Sequence, residues 1–166
     1  VERYGEYSKA GEFVYDRPFL WGSKRTGPDL HRLGGKYNNN WHFNHMLDPR
    51  QTSAGSIMPS YPWLIKNELN TDRLLEKMHT LAKLGVPYNE SDFKFAHENL
   101  DVQARAIANS LQNDPNFVAN YEASKKNAEV RGEQFIPIEK REIVAMIAYL
   151  QRLGVDIKAK KETAEK

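Results

Sequence analysis

The sequence predicts an all-α protein with long irregular loops, and three observations carry that expectation. Strand signals are missing: no run of alternating β-branched residues occurs, and no Asn-Gly or Asp-Gly dipeptide marks a hairpin. In the second half of the chain, apolar residues recur instead at helical spacing. The first 65 residues differ, being rich in Gly, Pro, Asn and aromatics. Ordered loops of that length usually serve a function.

Short helices are expected near residues 4–13 and 40–47. Asn70, Thr71 and Asp72 offer N-caps for a helix carrying Leu74, Leu75, Met78, Leu81 and Ala82, which runs up to Gly85. Val86-Pro87 ends it, because proline cannot continue a helix and restricts the residue before it. A second helix is expected over residues 90–113, with Leu100, Ala104, Ile107, Ala108 and Leu111 on its apolar face. Asp114-Pro115 reads as a break and restart. Phe117, Val118 and Tyr121 then begin a polar helix that closes at Gly132. The last helix starts at Pro137 or Ile138 and carries Ile143, Ile147 and Leu150 at i, i+4, i+7, with Gly154 as its stop. Residues 158–166 form a charged, solvated tail. Residues 1–157 thus read as one domain.

Composition removes several functional classes. The 166 residues include 24 basic and 22 acidic ones, a net charge of +2 that gives no case for nucleic-acid binding. No apolar run approaches the roughly 20 residues of a membrane helix, and no secretory signal is visible. Cysteine is absent, which excludes disulfides, Cys-ligated zinc, thiol catalysis and iron–sulfur clusters within this chain. The chain begins at Val1, so a fragment or processed product is expected, with any anchoring segment lost.

Three pieces can carry chemistry: Gly27-Pro28-Asp29-Leu30 followed by Gly34-Gly35; Met58-Pro59 among aromatics; and Ala148-Tyr149-Leu150 with Leu153-Gly154. Each alone reads as a turn, a packing residue and a core stripe. Among the histidines, His42 and His45 have an i, i+3 spacing that suits a metal, but no third ligand is near, which favours a satisfied structural or interface role. His31 is an alternative ligand beside the Gly-Pro turn. His79 and His97 read as surface or satisfied residues. No acid/base pair or Ser–His–Asp order emerges.

Taken in order, a Gly-Pro-x-Leu turn, a Met in a Pro-bearing loop and a terminal amphipathic helix resemble a class I cytochrome c. The closer resemblance is to the monohaem, membrane-anchored cytochrome c subunit (subunit II) of cbb3-type cytochrome c oxidases. It rests on "RYGEYS", "DRPFLWGSKRTGPDLHRLGGKY", "WHFNHMLDPR", "MPSYPWL", "LGVPY" and "EIVAMIAYLQRLGVDIK", and covers nearly the whole chain.

The resemblance implies a class I cytochrome c-like domain with inserted helices, on the periplasmic side of the bacterial inner membrane, held by one N-terminal transmembrane helix. It implies electron relay through haem c to the catalytic haem–copper subunit, with other cytochrome c subunits as partners. Carried over by position, Met58 is the distal axial ligand, a soft thioether that raises the reduction potential. Pro28 accepts a hydrogen bond from the proximal histidine, and Leu30 walls the haem. Arg25, Trp41 and Arg50 are candidates to meet the propionates, Tyr61 helps to place the Met58 loop, and Trp21-Gly22-Ser23 faces the catalytic subunit. The family's Cys-x-x-Cys-His motif is missing, and with it the proximal histidine and the N-terminal helix, so this chain cannot attach haem covalently. Without them, Ile143, Ile147 and Leu150 lose partners whose burial is worth about 1.5–3 kcal/mol each. The chain is expected to cover that stripe by rearrangement, self-association or a swapped element. The alternative function is a haem-free helical docking or assembly module, in which Met58 only packs.

Overall fold

The computed structural model describes Leu30 and residues 32–155. The helix expected over residues 4–13, the tail, and Trp21, Arg25, Pro28 and His31 lie outside the described residues. Within them the chain is all-α, with one isolated antiparallel bridge, between Glu68 and Arg141.

Helices α1 (Asn39–Leu47) and α2 (Pro49–Thr52) share Asp48 as a pivot. Its N–H caps α1 at Asn44 C=O (2.9 Å), and its carboxylate accepts from Arg50 N–H (3.2 Å) to start α2. A loop leads to α3 (Pro62–Lys66), which has Pro62 in its first turn. These two short helices, α2 and α3, carry too few residues for a periodic signal, so periodicity did not reveal them.

Helix α4 (Leu74–Lys83) starts later than its cap signals suggest. The Asn70 side chain accepts from Asp72 N–H (3.0 Å), which makes a turn ahead of the helix rather than its cap. The single helix expected over residues 90–113 is two, α5 (Glu90–Lys94) and α6 (Ala96–Leu111). Phe93 explains the break: its ring stacks on His79 of α4 (4.3 Å), which holds α5 to α4 while α6 turns toward the core. Helix α7 (Pro115–Arg131) behaves as the sequence indicates. Asp114 accepts from Asn116 N–H (2.9 Å), Pro115 occupies the first turn, and Gly132 closes the helix at φ +67.

The last helix also differs at its start. A 3-10 turn (Ile138–Lys140) precedes α8 (Glu142–Arg152), and Arg141 between them is extended. The side chain of Arg141 is the reason. It turns inward and donates from Nε to Ile136 C=O (2.8 Å) and from Nη1 to Ile65 C=O (3.1 Å). Its guanidinium lies over Phe135 (5.1 Å) and Tyr121 (5.8 Å). Leu69 N–H donates to Lys140 C=O (2.7 Å) and Glu142 N–H to Asn67 C=O (3.1 Å), so the excursion through α4–α7 is tied shut at its base.

The core forms where α6, α7, the 3-10 turn and α8 meet: Ala104, Ile107, Ala108, Leu111, Phe117, Ile138, Ile143, Val144 and Ile147. Phe43 and Met46 of α1, and Leu64 and Ile65 of α3, pack against it. The stripe expected to need outside cover is therefore buried within one chain. Ile143 and Ile147 are fully buried and Leu150 nearly so, covered by α6, α1 and α3, and no second copy is required.

The end of α8 grips the loop before α1. Gly34 N–H donates to Leu153 C=O (2.9 Å) and Gly35 N–H to Gln151 Oε1 (3.0 Å). Gln151 Nε2 donates to Tyr37 C=O and Asn39 Oδ1 (2.9 Å each). Only glycine fits at position 34, where a Cβ would lie 2.4 Å from Gln151 O and 2.7 Å from Leu153 O.

Candidate functional site

The site grows from α1. Asn38 accepts from Trp41 N–H (2.7 Å) and starts the helix. Trp41 and His45, one turn apart, share a face. Tyr37, Trp41 and His45 form a three-ring stack, with centroids 3.9 and 4.5 Å apart and planes within 13°. His45 Nδ1 meets Thr52 Oγ1 of α2. The Thr52 hydroxyl donates to Pro49 C=O (3.2 Å), which leaves its oxygen to accept from His45 Nδ1–H. This bond joins α1 to α2.

Beyond α2 comes the loop that carries Met58. Gly55 takes φ +77, and Ser56 N–H donates to Ser53 C=O (3.1 Å). Met58 N–H donates to Ser56 Oγ (3.2 Å). Tyr61 N–H donates to Met46 C=O (2.9 Å), which pins the far end of the loop to α1. With Pro59 and Pro62 limiting its backbone, and α3 anchored by Leu64 and Ile65, the loop is held at both ends. Met58 is half-buried, whereas its neighbour Ile57 is 84% exposed and Trp63 is 49% exposed. The Tyr61 and Trp63 rings meet edge to face at 5.2 Å.

His42 lies on the inner side of α1. It is buried, set edge-on to Tyr37 (6.1 Å) and Trp41 (5.4 Å), and its Nε2 has no hydrogen-bond partner. Burial first, and the neighbouring His45 second, push its pKa below the ordinary value; burial does the same to His45. Both rings are therefore neutral at neutral pH. The satisfied role expected of this pair holds for His45, which bonds Thr52, but not for His42, whose Nε2 is sealed among rings without a partner. No cluster of three or more metal-binding His, Asp or Glu side chains occurs among the described residues.

Of the residues singled out in the sequence, Trp41, Arg50, Met58 and Tyr61 belong to one hydrogen-bonded unit, α1–α2–loop–α3. Arg50 is exposed, its guanidinium 3.6 Å from Asp48. Leu30 stands apart at 45% exposed, its C=O accepting from Leu33 N–H (3.0 Å). Tyr37 and Gln151 were missed. An i, i+4 count extended back from Trp41 would have found Tyr37; a lone glutamine on an amphipathic helix gives no signal. Two cavities lie elsewhere, one of about 580 Å³ between α4, α6 and α8, the other of about 410 Å³ lined by Asn38, Asn39, Asn40, Ser110, Asn113 and Gln151.

This donor set has one thioether on a clamped loop, an indole and a guanidinium. In kind these are groups that haem proteins use, a soft neutral ligand for iron and hydrogen-bond donors for carboxylates. An all-α fold of this kind, with such a donor set, points to the class of helical haem proteins of electron transfer. Comparison with known families agrees: residues 1–157 match the cytochrome c oxidase, mono-heme subunit/FixO family. The chain belongs to that family and is an electron-transfer subunit associated with the catalytic oxidase complex. No curated protein matches it. The family carries haem c, but this chain has no cysteine and hence no covalent attachment point. No described helix is long and apolar enough to cross a membrane.

Proposed function

We propose that the chain relays electrons through a c-type haem to the oxygen-reducing haem–copper subunit, on the periplasmic side of the bacterial inner membrane, with Met58 as one axial ligand. The clamped Met58 loop supports this reading above all else. Electron transfer is fast only when little has to move, and a loop backbone held by the Met58 N–H to Ser56 bond and the Tyr61–Met46 bond suits a ligand that must stay in place in both oxidation states. The haem supplies a one-electron couple, whose potential depends on the axial thioether and on burial. Trp41, Arg25 and Arg50 offer donors to its propionates, Leu30 shields an edge, and Tyr61 with Pro59 fixes the loop. By the family resemblance, the Pro28 carbonyl would accept from the proximal histidine of the haem-attachment motif, which would keep that imidazole in one orientation.

The test is a visible spectrum of the native haem-loaded protein from membranes, oxidised and reduced, with wild type beside Met58→Ala. The expected result is a c-type spectrum that loses its sulfur-to-iron charge-transfer band and shifts to lower potential in the variant. A protein from membranes without haem would make Met58 a packing residue, and the helical docking module would become the reading.

A further inference from the structure

We propose that His45 and Thr52 are positioning residues for Met58: their hydrogen bond is the clasp that closes the loop carrying the axial sulfur. This rests on the relay reading and deepens it by assigning what holds the ligand loop at its near end. The far end is pinned by Tyr61 N–H, which donates to Met46 C=O (2.9 Å). The near end is pinned by His45 Nδ1–H, which donates to Thr52 Oγ1. His45 and Met46 are consecutive residues of α1, so residues 53–60 close at both ends on one place in one helix.

From the clasp, hydrogen bonds run on to Met58 itself. Thr52 Oγ1–H donates to Pro49 C=O (3.2 Å), which also accepts from Ser53 N–H (2.9 Å), and Pro49 is fully buried. Ser53 C=O accepts from Ser56 N–H (3.1 Å), and Ser56 Oγ from Met58 N–H (3.2 Å). The donor is set in advance, because the His45 ring is stacked on Trp41 (4.5 Å). Helix α2 needs this tie. It is one turn long, Pro49–Thr52, and a single turn does not hold itself in water. Asp48 caps it at the pivot, but Thr52 lies at the other end, where the loop begins. Without the clasp, that end is free to swing and the loop opens as a flap, taking the thioether away from the iron.

The experiment uses the native haem-loaded subunit from membranes, oxidised, with added imidazole as a competitor for the iron. Imidazole binds where the sulfur has left, so its apparent affinity reports how often the loop opens. Thr52→Val keeps the shape and removes the hydroxyl. His45→Phe keeps a ring to stack on Trp41 and removes the donor. Thr52→Ser retains the bond. Ile107→Val, in the buried core on α6, loosens the whole fold by a comparable amount and is the control. Thr52→Val and His45→Phe are each expected to bind imidazole about fivefold more tightly than wild type. The double variant should gain no more than either single one, and Thr52→Ser and Ile107→Val should match wild type. Wild-type affinity in either Thr52→Val or His45→Phe overturns the proposal; if one of them fails to load haem, the other decides. Additive gains in the double variant also overturn it, because the two side chains would then act apart. So does an equal gain in Ile107→Val, which would assign the effect to general loosening, or in Thr52→Ser, which would assign it to the lost methyl. Failure of the relay reading registers separately, as a wild-type subunit without a sulfur-to-iron band.

Discussion

His42 carries a cost that the rest of the core does not. A buried nitrogen without a partner forfeits about 1–3 kcal/mol, and burial holds the ring neutral. The sign of the pH effect follows from the lowered value. Between the folded-state pKa of His42 and the unfolded-state value near 6.5, the unfolded chain binds more protons. Stability is therefore full above about pH 6.5 and falls as the pH drops below it, down through the folded-state value; His45 adds in the same direction. His42→Leu is expected to equal or exceed wild type in urea midpoint at about pH 7.5 and to lose less between about pH 7 and pH 5. An acid limb as steep as that of wild type would show that His42 is not the group responsible. The sequence displayed the His42–His45 pair but not its meaning. Spacing says that two imidazoles share one side of a helix, and it cannot say that one is sealed among rings while the other finds a threonine seven residues on.

The elements whose ends have a chemical cap were legible. Asp114-Pro115 and Gly132 bound α7 as expected, because a carboxylate, a proline and a left-handed glycine act locally. The elements decided by distant partners were not: Arg141 delays α8 because Ile65 and Ile136 offer it carbonyls, and Phe93 splits α5 from α6 because His79 lies across from it. The junction of the Gly34–Gly35 loop with α8 belongs with these. Gly34→Ala would push a methyl group into two backbone carbonyls, which cannot yield as a side chain does. The expected loss is about 1–3 kcal/mol, read as a lower urea midpoint with an unchanged slope. A variant as stable as wild type would show that the loop can lift from α8 at no cost.

At the scale of the molecule, the family fold lays α8 against both the early helix α1 and the late helix α6, so one core joins α1, α3, α6, α7 and α8. Ile147, fully buried at its centre, tests this. Ile147→Ala is expected to cost about 2–5 kcal/mol and to lower the transitions of α1 and α7 together; separate transitions for the two regions would divide the core. The apolar face of α8 was plain in the sequence, but its cover was not. A pattern of period 3.6 says that a side is apolar and leaves open what lies on it; here α6, from the excursion between the Met58 loop and α8, covers more of it than α1 or α3 does. The Met58 loop itself stood out because proline, glycine and aromatics are rare company for methionine.

The grip of Gln151 and Leu153 on residues 34–39 also sets an order in time. The two sides are 116 residues apart in the chain for the Gly35–Gln151 bond. Nothing can hold the loop ahead of α1 in its final place until almost the last helix has left the ribosome, and closing so long a loop comes late in folding. Residues 34–39 thus wait, unlatched, through most of synthesis.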